Sequence, residues 1–130
     1  MTAILVDSHA LHWWAAEPDR LSPAAATALE TADELAVASI SWFELAWLAR
    51  HDRIVVEVPI RTWLERMRES VRTLPITPAI ADAAVSLPAS FPGDPADRII
   101  FATAIEHGLR LVTKDRGMRT HRHAREVAIW

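Results

Sequence analysis

The chain contains no cysteine, no long apolar run and no excess of positive charge. Without cysteine, disulfides, thiolate nucleophiles and cysteine-based zinc sites are all excluded. No segment approaches the roughly 20 apolar residues that cross a bilayer, and no charged stretch leads into an apolar one at the start, so we expect a cytoplasmic protein with no membrane partner. The formal net charge of -3 excludes a globally basic protein that coats nucleic acid. Any metal ligands must therefore be oxygen atoms or the six histidines.

The 130 residues are enough for one hydrophobic core, and 51% of them are apolar, which excludes a disordered chain. No internal repeat, low-complexity tract or long linker divides the sequence. We therefore expect residues 1–130 to form a single domain.

Short apolar segments alternate with longer amphipathic or alanine-rich segments. Nearly continuous apolar strands are typical of a parallel sheet covered on both faces, so the pattern predicts an α/β protein. The predicted strands are 3–6, 35–39, 74–76 as an edge strand, 109–113 and 127–130. The predicted helices are one from 8, then 23–31, 41–50, 60–72, 78–87 and 99–107, with a turn or short helix at 115–120.

Four acidic residues lie at the ends of these apolar segments. Asp7 directly follows the first strand, and Asp115 lies just beyond the fourth. Glu44 is in the first turn of the helix after the second strand, and Asp97 is in the first turn of the helix before the fourth. Because ligands bind beyond the carboxyl ends of parallel strands, we expect the four to meet at one edge of the sheet. Carboxylate oxygens suit Mg²⁺ or Mn²⁺, which can polarise a phosphate and activate water.

Each acid alone also has an ordinary explanation. Glu44 completes a capping-box pattern with Ser41, Asp97 is favoured by the helix dipole, and Asp115 is a common turn residue. Asp7 is harder to explain in this way because four apolar residues precede it, and a carboxylate beside a buried strand is costly. Their joint placement favours a functional site.

Three further polar residues lie near the four acids. Asp94 is expected to be the N-cap of the helix that contains Asp97, with a possible supporting role at the site. Ser8 and Thr113 have hydroxyls that could bind a ligand carboxylate or a metal-bound water, although capping or strand-end packing explains them equally well.

At these residues the chain resembles the PIN-domain ribonucleases, and most closely the VapC-like toxins of type II toxin–antitoxin pairs. The resemblance spans residues 5 to 115 in the family's order. The matching segments are Leu5-Val6-Asp7-Ser8, Ser41-Trp42-Phe43-Glu44-Leu45-Ala46, Asp94-Pro95-Ala96-Asp97-Arg98 continuing through Ala104, Glu106-His107-Gly108-Leu109 and Leu111-Val112-Thr113-Lys114-Asp115.

The resemblance implies an α/β/α sandwich with a central, mainly parallel sheet. It implies an endoribonuclease that depends on Mg²⁺ or Mn²⁺, with an acidic quartet that falls on Asp7, Glu44, Asp97 and Asp115. It also implies a homodimer and a cognate antitoxin that blocks the site.

A basic segment follows the fourth strand in a chain that is otherwise acidic. We expect Lys114, Arg116 and Arg119 to contact RNA phosphates, and Arg98 to contact phosphate or pair with a carboxylate. The alternative is a solvated C-terminal face. The segment continues through His121, Arg122, His123 and Arg125.

Six tryptophans are many for this length. Trp63 lies on the apolar face of a predicted helix and is expected in the core, as are at least half of the six. Any tryptophan left exposed would mark a dimer or antitoxin surface.

Two other functions compete with RNA hydrolysis. A phosphatase of the haloacid-dehalogenase type also uses an aspartate at a strand end, but needs a second acid two residues later, where this chain has His9. A non-catalytic RNA- or protein-binding module would bind without cleavage and without metal.

Overall fold

The centre of the structure is a five-stranded sheet in which every pairing is parallel. The computed structural model describes residues 2–130. The strands are β1 (Ala3–Val6), β2 (Glu34–Ala38), β3 (Arg72–Leu74), β4 (Arg110–Val112) and β5 (Ala128–Ile129). Their order across the sheet is β3-β2-β1-β4-β5, so β1 lies in the middle between β2 and β4. The predicted α/β fold with a parallel sheet is confirmed.

Helices connect the strands and cover both faces of the sheet. The helices are α1 (Ser8–Ala16), α2 (Pro23–Thr31), α3 (Ile40–Arg50), α4 (Ile60–Arg68), α5 (Pro78–Ser86), α6 (Pro95–His107) and α7 (Arg116–Arg119), with 3-10 turns at Pro18–Arg20 and Arg122–Ala124. Because side chains alternate along a strand, Ile4 and Val6 pack into one core with Leu11 of α1, whereas Leu5 packs into the other with Phe101 of α6.

Sequence signals for helix ends act as expected at three positions. The Ser22 and Thr77 hydroxyls accept the backbone N–H groups of Ala25 (3.1 Å) and Ile80 (3.2 Å), each just before a proline at the first helical position. Gly108 ends α6 in the left-handed region, with φ 64, which a residue without a Cβ adopts at little cost. These residues fix where α2 and α5 begin and where α6 ends.

The fourth helix and the third strand differ from their predicted bounds. The helix was expected over 60–72, but it ends at Arg68, where buried Met67 anchors its last turn. The strand was expected over 74–76, but β3 is Arg72–Leu74, paired with β2 at the edge of the sheet. Pro75 has no N–H to donate, so the strand cannot continue through it.

The tryptophans divide as expected between core and surface. Trp13 is buried, and four others are partly buried against the first core, namely Trp14, Trp42, Trp63 and Trp130. On α3, Trp47 is 44% exposed and Phe43 is 67% exposed. Among residues 2–130, no helix has the length and apolar character needed to cross a membrane.

Candidate active site

The carboxyl edge of the sheet collects the acidic side chains. Asp7 is the first residue after β1, and its backbone N–H donates to the Val112 carbonyl at the end of β4 (2.9 Å). Asp115 lies three residues after Val112, the last residue of β4. Glu44 comes from α3, which leaves β2 at the same edge. Parallel pairing of neighbouring strands is therefore what brings residues from distant parts of the chain together.

Asp7 is the most constrained of these acids. It is 7% exposed, and its Oδ1 accepts the Ser8 backbone N–H while its Oδ2 accepts the Thr113 hydroxyl, each at 2.6 Å. Thr113 Oγ1 in turn accepts the Asp115 backbone N–H at 3.1 Å. Burial raises the pKa of Asp7, and the hydrogen bonds from Thr113 and Ser8 oppose that rise. Thr113 thus links the two acids across β1 and β4.

Glu44 is held by the chain segment that begins α1. The Ser8 hydroxyl donates to Glu44 Oε1 at 2.7 Å. Burial, followed by repulsion from Asp7 and Asp94, raises the pKa of Glu44, while the Ser8 hydrogen bond lowers it. Ser8 therefore contacts two acids, one through its backbone and one through its side chain.

The capping-box interpretation of Ser41 and Glu44 is wrong. Helix α3 begins at Ile40, so Ser41 lies inside the first turn, and Glu44 lies beyond it. Ser41 is fully buried, and its hydroxyl has no partner within residues 2–130. Because Glu44 is not needed as a cap, its carboxylate is free to face the site.

Asp94 caps α6 and also faces the other acids. Its Oδ1 accepts the Ala96 backbone N–H at 2.8 Å, as the sequence predicts for an N-cap. A carboxylate oxygen from each of Glu44, Asp94 and Asp97 lies within 4.8 Å of the other two. The sequence alone favoured a capping role, because capping explains an Asp-Pro pair at a helix start without reference to any residue elsewhere in the chain.

Asp97 is the electrostatic centre of the cluster. Its pKa is raised from 3.8 to about 7, first by burial and then by repulsion from Asp7, Asp94, Asp115 and Glu44, in that order. The other four acids therefore all act on Asp97 through space, although they come from several elements. Near neutral pH, this cluster favours either a proton or a cation.

Asp115 is fixed by the short helix that follows it. Its Oδ1 accepts the Met118 backbone N–H at 2.7 Å. A Cβ at Gly117 would lie 3.4 Å from that oxygen, an ordinary van der Waals contact, so Gly117 packs close to the carboxylate. The second oxygen of Asp115 remains available to the cleft, which Asp115 lines.

The chemistry of the donor set fits a hard divalent cation. Carboxylates are the ligands that Mg²⁺ and Mn²⁺ prefer, and a cation would relieve the repulsion that raises the pKa of Asp97. Glu44, Asp94 and Asp97 have oxygens close enough to share an ion. Asp7 and Asp115 lie around them with one or both oxygens engaged by the protein.

The acids line a cleft of about 1160 Å³ that also contains cations. Lys114, Arg116 and Arg119 line it, and the phosphate contacts expected of them stay a prediction. Arg20 and Arg53 line it too, and neither was expected. Arg20 is the last residue of a 3-10 turn, and Arg53 lies in the α3–α4 connection. No motif marks either position as near the acids.

Arg98 binds backbone carbonyls, rather than contacting phosphate or a carboxylate as its sequence position suggested. Its Nε donates to the Pro92 carbonyl at 3.0 Å, and its other nitrogens donate to four more carbonyls at 3.0 to 3.2 Å. A guanidinium has five N–H donors, so all are used. Arg98 therefore ties the α5–α6 connection, which carries Asp94, to the start of α6. The four further carbonyls are those of Ala84, Leu87, Pro88 and Phe91.

Comparisons with known proteins agree with this arrangement. The family model for the PIN domain matches residues 4–124. The chain is 64% identical over 130 residues to Ribonuclease VapC22 of Mycobacterium tuberculosis, and the alignment covers 100% of both proteins.

Solved structures share the fold at much lower identity. A toxin-antitoxin complex from Klebsiella pneumoniae has a TM-score of 0.69 at 22% identity, over 93% of each chain. VapBC2 from Rickettsia felis, bound to a DNA fragment from its promoter, has a TM-score of 0.65 at 13% identity, over 90% of this chain and 96% of that one. FitAcB from Neisseria gonorrhoeae has a TM-score of 0.63 at 23% identity, over 96% and 94%. At these identities, the matches establish the fold alone.

Proposed function

The chain belongs to the PIN-domain family, and on that premise we propose that it is a metal-dependent endoribonuclease that acts as the toxin of a toxin–antitoxin pair. The observation that supports this most directly is the cluster of five carboxylates in a cleft that also contains cations. We propose that the reaction is hydrolysis of an RNA phosphodiester bond by an activated water. We also propose that residues 1–130 form a single PIN-like nuclease domain.

We propose that Mg²⁺ or Mn²⁺ is held by Glu44, Asp94 and Asp97, with Asp7 and Asp115 completing the site. When bound, such an ion polarises a phosphate oxygen and lowers the pKa of a coordinated water. Ser8 and Thr113 orient the carboxylates of Glu44 and Asp7 through their hydroxyls. Residues that hydrogen-bond to metal ligands in this way fix the orientation of the ligands.

The residues of the cleft walls bind and orient the substrate. Lys114, Arg116 and Arg119 neutralise phosphates, and such contacts position an RNA strand without reading its sequence. With a pKa of about 7, Asp97 holds a proton for part of the time in the metal-free protein at neutral pH. Binding of a cation therefore releases that proton, and metal affinity rises with pH through this range.

The first prediction concerns metal dependence. Purified protein is expected to cleave RNA with Mg²⁺ or Mn²⁺, to lose activity in EDTA, and to regain it when either ion is restored. Because Asp97 must lose its proton, the metal concentration needed for half-maximal cleavage should fall as pH rises from about 6 to about 8. Cleavage assays on labelled single-stranded RNA across this pH range measure the effect, and activity that survives EDTA contradicts the proposal.

A second prediction separates the two roles of Asp94. Asparagine is a good N-cap without charge, so Asp94→Asn should keep the stability of α6 while weakening Mn²⁺ binding by roughly 10-fold or more. Asp94→Ala should weaken Mn²⁺ binding similarly and also lower stability by about 1 kcal/mol, because the cap is lost.

Calorimetric titration with Mn²⁺ gives the affinity, and thermal unfolding of the metal-free protein gives the stability. The matched control is Thr77→Ala, which removes the cap of α5 away from the acids and should change stability alone. Unchanged Mn²⁺ affinity in Asp94→Asn would leave Asp94 as a cap only.

We further propose a cognate antitoxin, a homodimer and a cytoplasmic location, with RNA as the substrate. The three solved structures above share this fold, and the first is a toxin-antitoxin complex. Exposed Phe43 and Trp47 on α3 provide an apolar surface suited to a protein partner. Size-exclusion chromatography with light scattering, alone and with the product of an adjacent gene, tests these partners.

A further inference from the structure

Two cations in the cleft are held on one aromatic ring beside the acids. The Lys114 Nζ lies 4.9 Å and the Arg20 Cζ lies 5.8 Å from the centroid of the Trp13 ring. Trp13 is 5% exposed and also packs against Trp130, with ring centroids 6.0 Å apart. The ring is therefore a fixed support. Cation–π contacts at these distances orient a cation without neutralising its charge.

Lys114 has no carboxylate partner within residues 2–130, and Arg20 shares its carboxylate partner with a histidine. Within residues 2–130, no carboxylate oxygen lies within 4.0 Å of the Lys114 amine. The Arg20 Nε lies 3.4 Å from Glu17 Oε1, and the second oxygen of Glu17 lies 3.3 Å from His12. Because Lys114 is unpaired and Arg20 shares Glu17 with His12, the positive charge on this ring exceeds its partners and favours a bound anion.

The position of the pair decides which anion. Lys114 is adjacent in sequence to Asp115, and both cations line the same cleft as the acids. An anion bound there shares the cleft with any phosphate at the acidic cluster. A polynucleotide carries such anions at a regular spacing along its backbone, and a single strand can bend into a cleft.

We propose that Lys114 and Arg20, supported by Trp13, form a phosphate subsite for the nucleotide next to the cleavage position in single-stranded RNA. The subsite rests on the proposed function, because it assumes that the acids take the scissile phosphate. It adds Arg20 to the substrate contacts and makes a flanking phosphate part of recognition. One phosphate is shared by the two cations.

The test measures RNA binding without cleavage. Fluorescence anisotropy of a labelled single-stranded RNA 12-mer in EDTA, at about 50 to 200 mM salt, gives the affinity and its salt dependence. Lys114→Gln and Arg20→Gln should each weaken binding up to about fivefold near 0.1 M salt. The double variant should lower the slope of log affinity against log salt by about 0.7, the value for one phosphate contact on a single strand.

The matched control is Arg61→Gln, an exposed arginine on α4 that makes the same charge change outside the cleft. If Lys114→Gln and Arg20→Gln weaken binding no more than this control, or if wild-type protein shows no salt-dependent binding, the subsite is refuted. A slope reduced by about 1.4 in the double variant means two independent contacts and overturns a shared phosphate.

The outcome is separable from that of the proposed function. Wild-type protein that binds RNA in this manner but does not cleave it with Mg²⁺ refutes the nuclease and leaves the subsite. Wild-type protein that cleaves RNA, with variants that bind as wild type does, refutes the subsite alone.

Discussion

Asp97→Asn is expected to lower metal-dependent RNA cleavage by about 100-fold or more while making the metal-free protein more stable. The loss of rate follows from the cation, whose stabilisation of developing charge is worth several kcal/mol, with tenfold in rate for each 1.36 kcal/mol. The gain in stability follows from repulsion, because burial and four neighbouring carboxylates raise the pKa of Asp97 to about 7. One substitution should therefore change activity and stability in opposite directions.

The pH dependence of this gain has a defined sign. The pKa of Asp97 is higher in the folded protein than its ordinary value of 3.8, so the folded state binds more protons between these two values. The contribution of Asp97 to stability therefore falls as pH rises from about 4 to about 7, and it is constant above that. For a half-exposed group, we expect a full effect of roughly 1–2 kcal/mol after solvent screening.

Thermal unfolding of wild-type and Asp97→Asn protein at pH 5 and pH 8, with EDTA or with Mn²⁺, measures both effects. In EDTA the variant should unfold at a higher temperature than wild type, with the larger difference at pH 8. Mn²⁺ should raise the unfolding temperature of wild type far more than that of the variant. Asp82→Asn, an exposed change on α5, serves as the control. Undiminished cleavage by the Asp97 variant would remove Asp97 from the site.

Arg98→Lys is expected to destabilise the protein by about 3 kcal/mol, although the charge is kept. The guanidinium donates to five backbone carbonyls at once, and lysine has three donors on a narrower head, so at least two of these carbonyls lose their partner. Each hydrogen bond to a charged donor contributes about 1.5–3 kcal/mol. For a protein of this length, a loss of about 3 kcal/mol corresponds to a fall of roughly 10 °C in unfolding temperature.

The same substitution should weaken Mn²⁺ binding through Asp94. Arg98 fixes the α5–α6 connection, whose last residue is Asp94, so a loosened connection moves one of the acids. Arg68→Lys is the matched control, because Arg68 makes only an exposed ion pair with Glu65. If both lysine variants unfold at the wild-type temperature, Arg98 does not organise the connection. If Arg98→Lys lowers stability but leaves Mn²⁺ affinity unchanged, Arg98 stabilises the fold without positioning Asp94.

The sequence predicted the sheet and the family, because both depend on patterns that are local or ordered along the chain. Apolar segments such as Ala3–Val6 and the spacing of the acids led to a parallel sheet and a PIN-domain resemblance, and both are confirmed. The strand at 72–74 was misplaced because tertiary pairing with β2, rather than local propensity, decides where a short edge strand lies.

The composition of the site was only partly predictable from the sequence. The sequence explains Asp94 fully as a helix cap, and only its distance to Glu44 and Asp97 in the structure indicates a second role. Arg20 and Arg53 reach the cleft from connections without a motif. Which carbonyls Arg98 binds depends on the path of the loop before it, and the sequence of a proline-rich loop does not predict that path.

Family membership also decides between the competing functions. The PIN-domain match over residues 4–124 argues against the haloacid-dehalogenase alternative. That alternative would use Asp7 for the reaction, but both Asp7 oxygens accept hydrogen bonds from the protein. A non-catalytic module would not need five carboxylates in one cleft, four of which raise the pKa of Asp97 and so lower stability in the absence of a cation.

The hydrogen bond between Thr113 and Asp7 has a consequence for the synthesis of this protein. The two residues are 106 positions apart, so Asp7 is synthesised well before Thr113, the residue whose hydroxyl it accepts. Pairing of β1 with β4 is equally distant in sequence, and such contacts form late in folding. A growing chain that stops before Thr113 contains four of the five acids but has no closed site. The acidic site therefore exists only when the segments that carry Asp7 and Asp115 are both present and β1 has paired with β4.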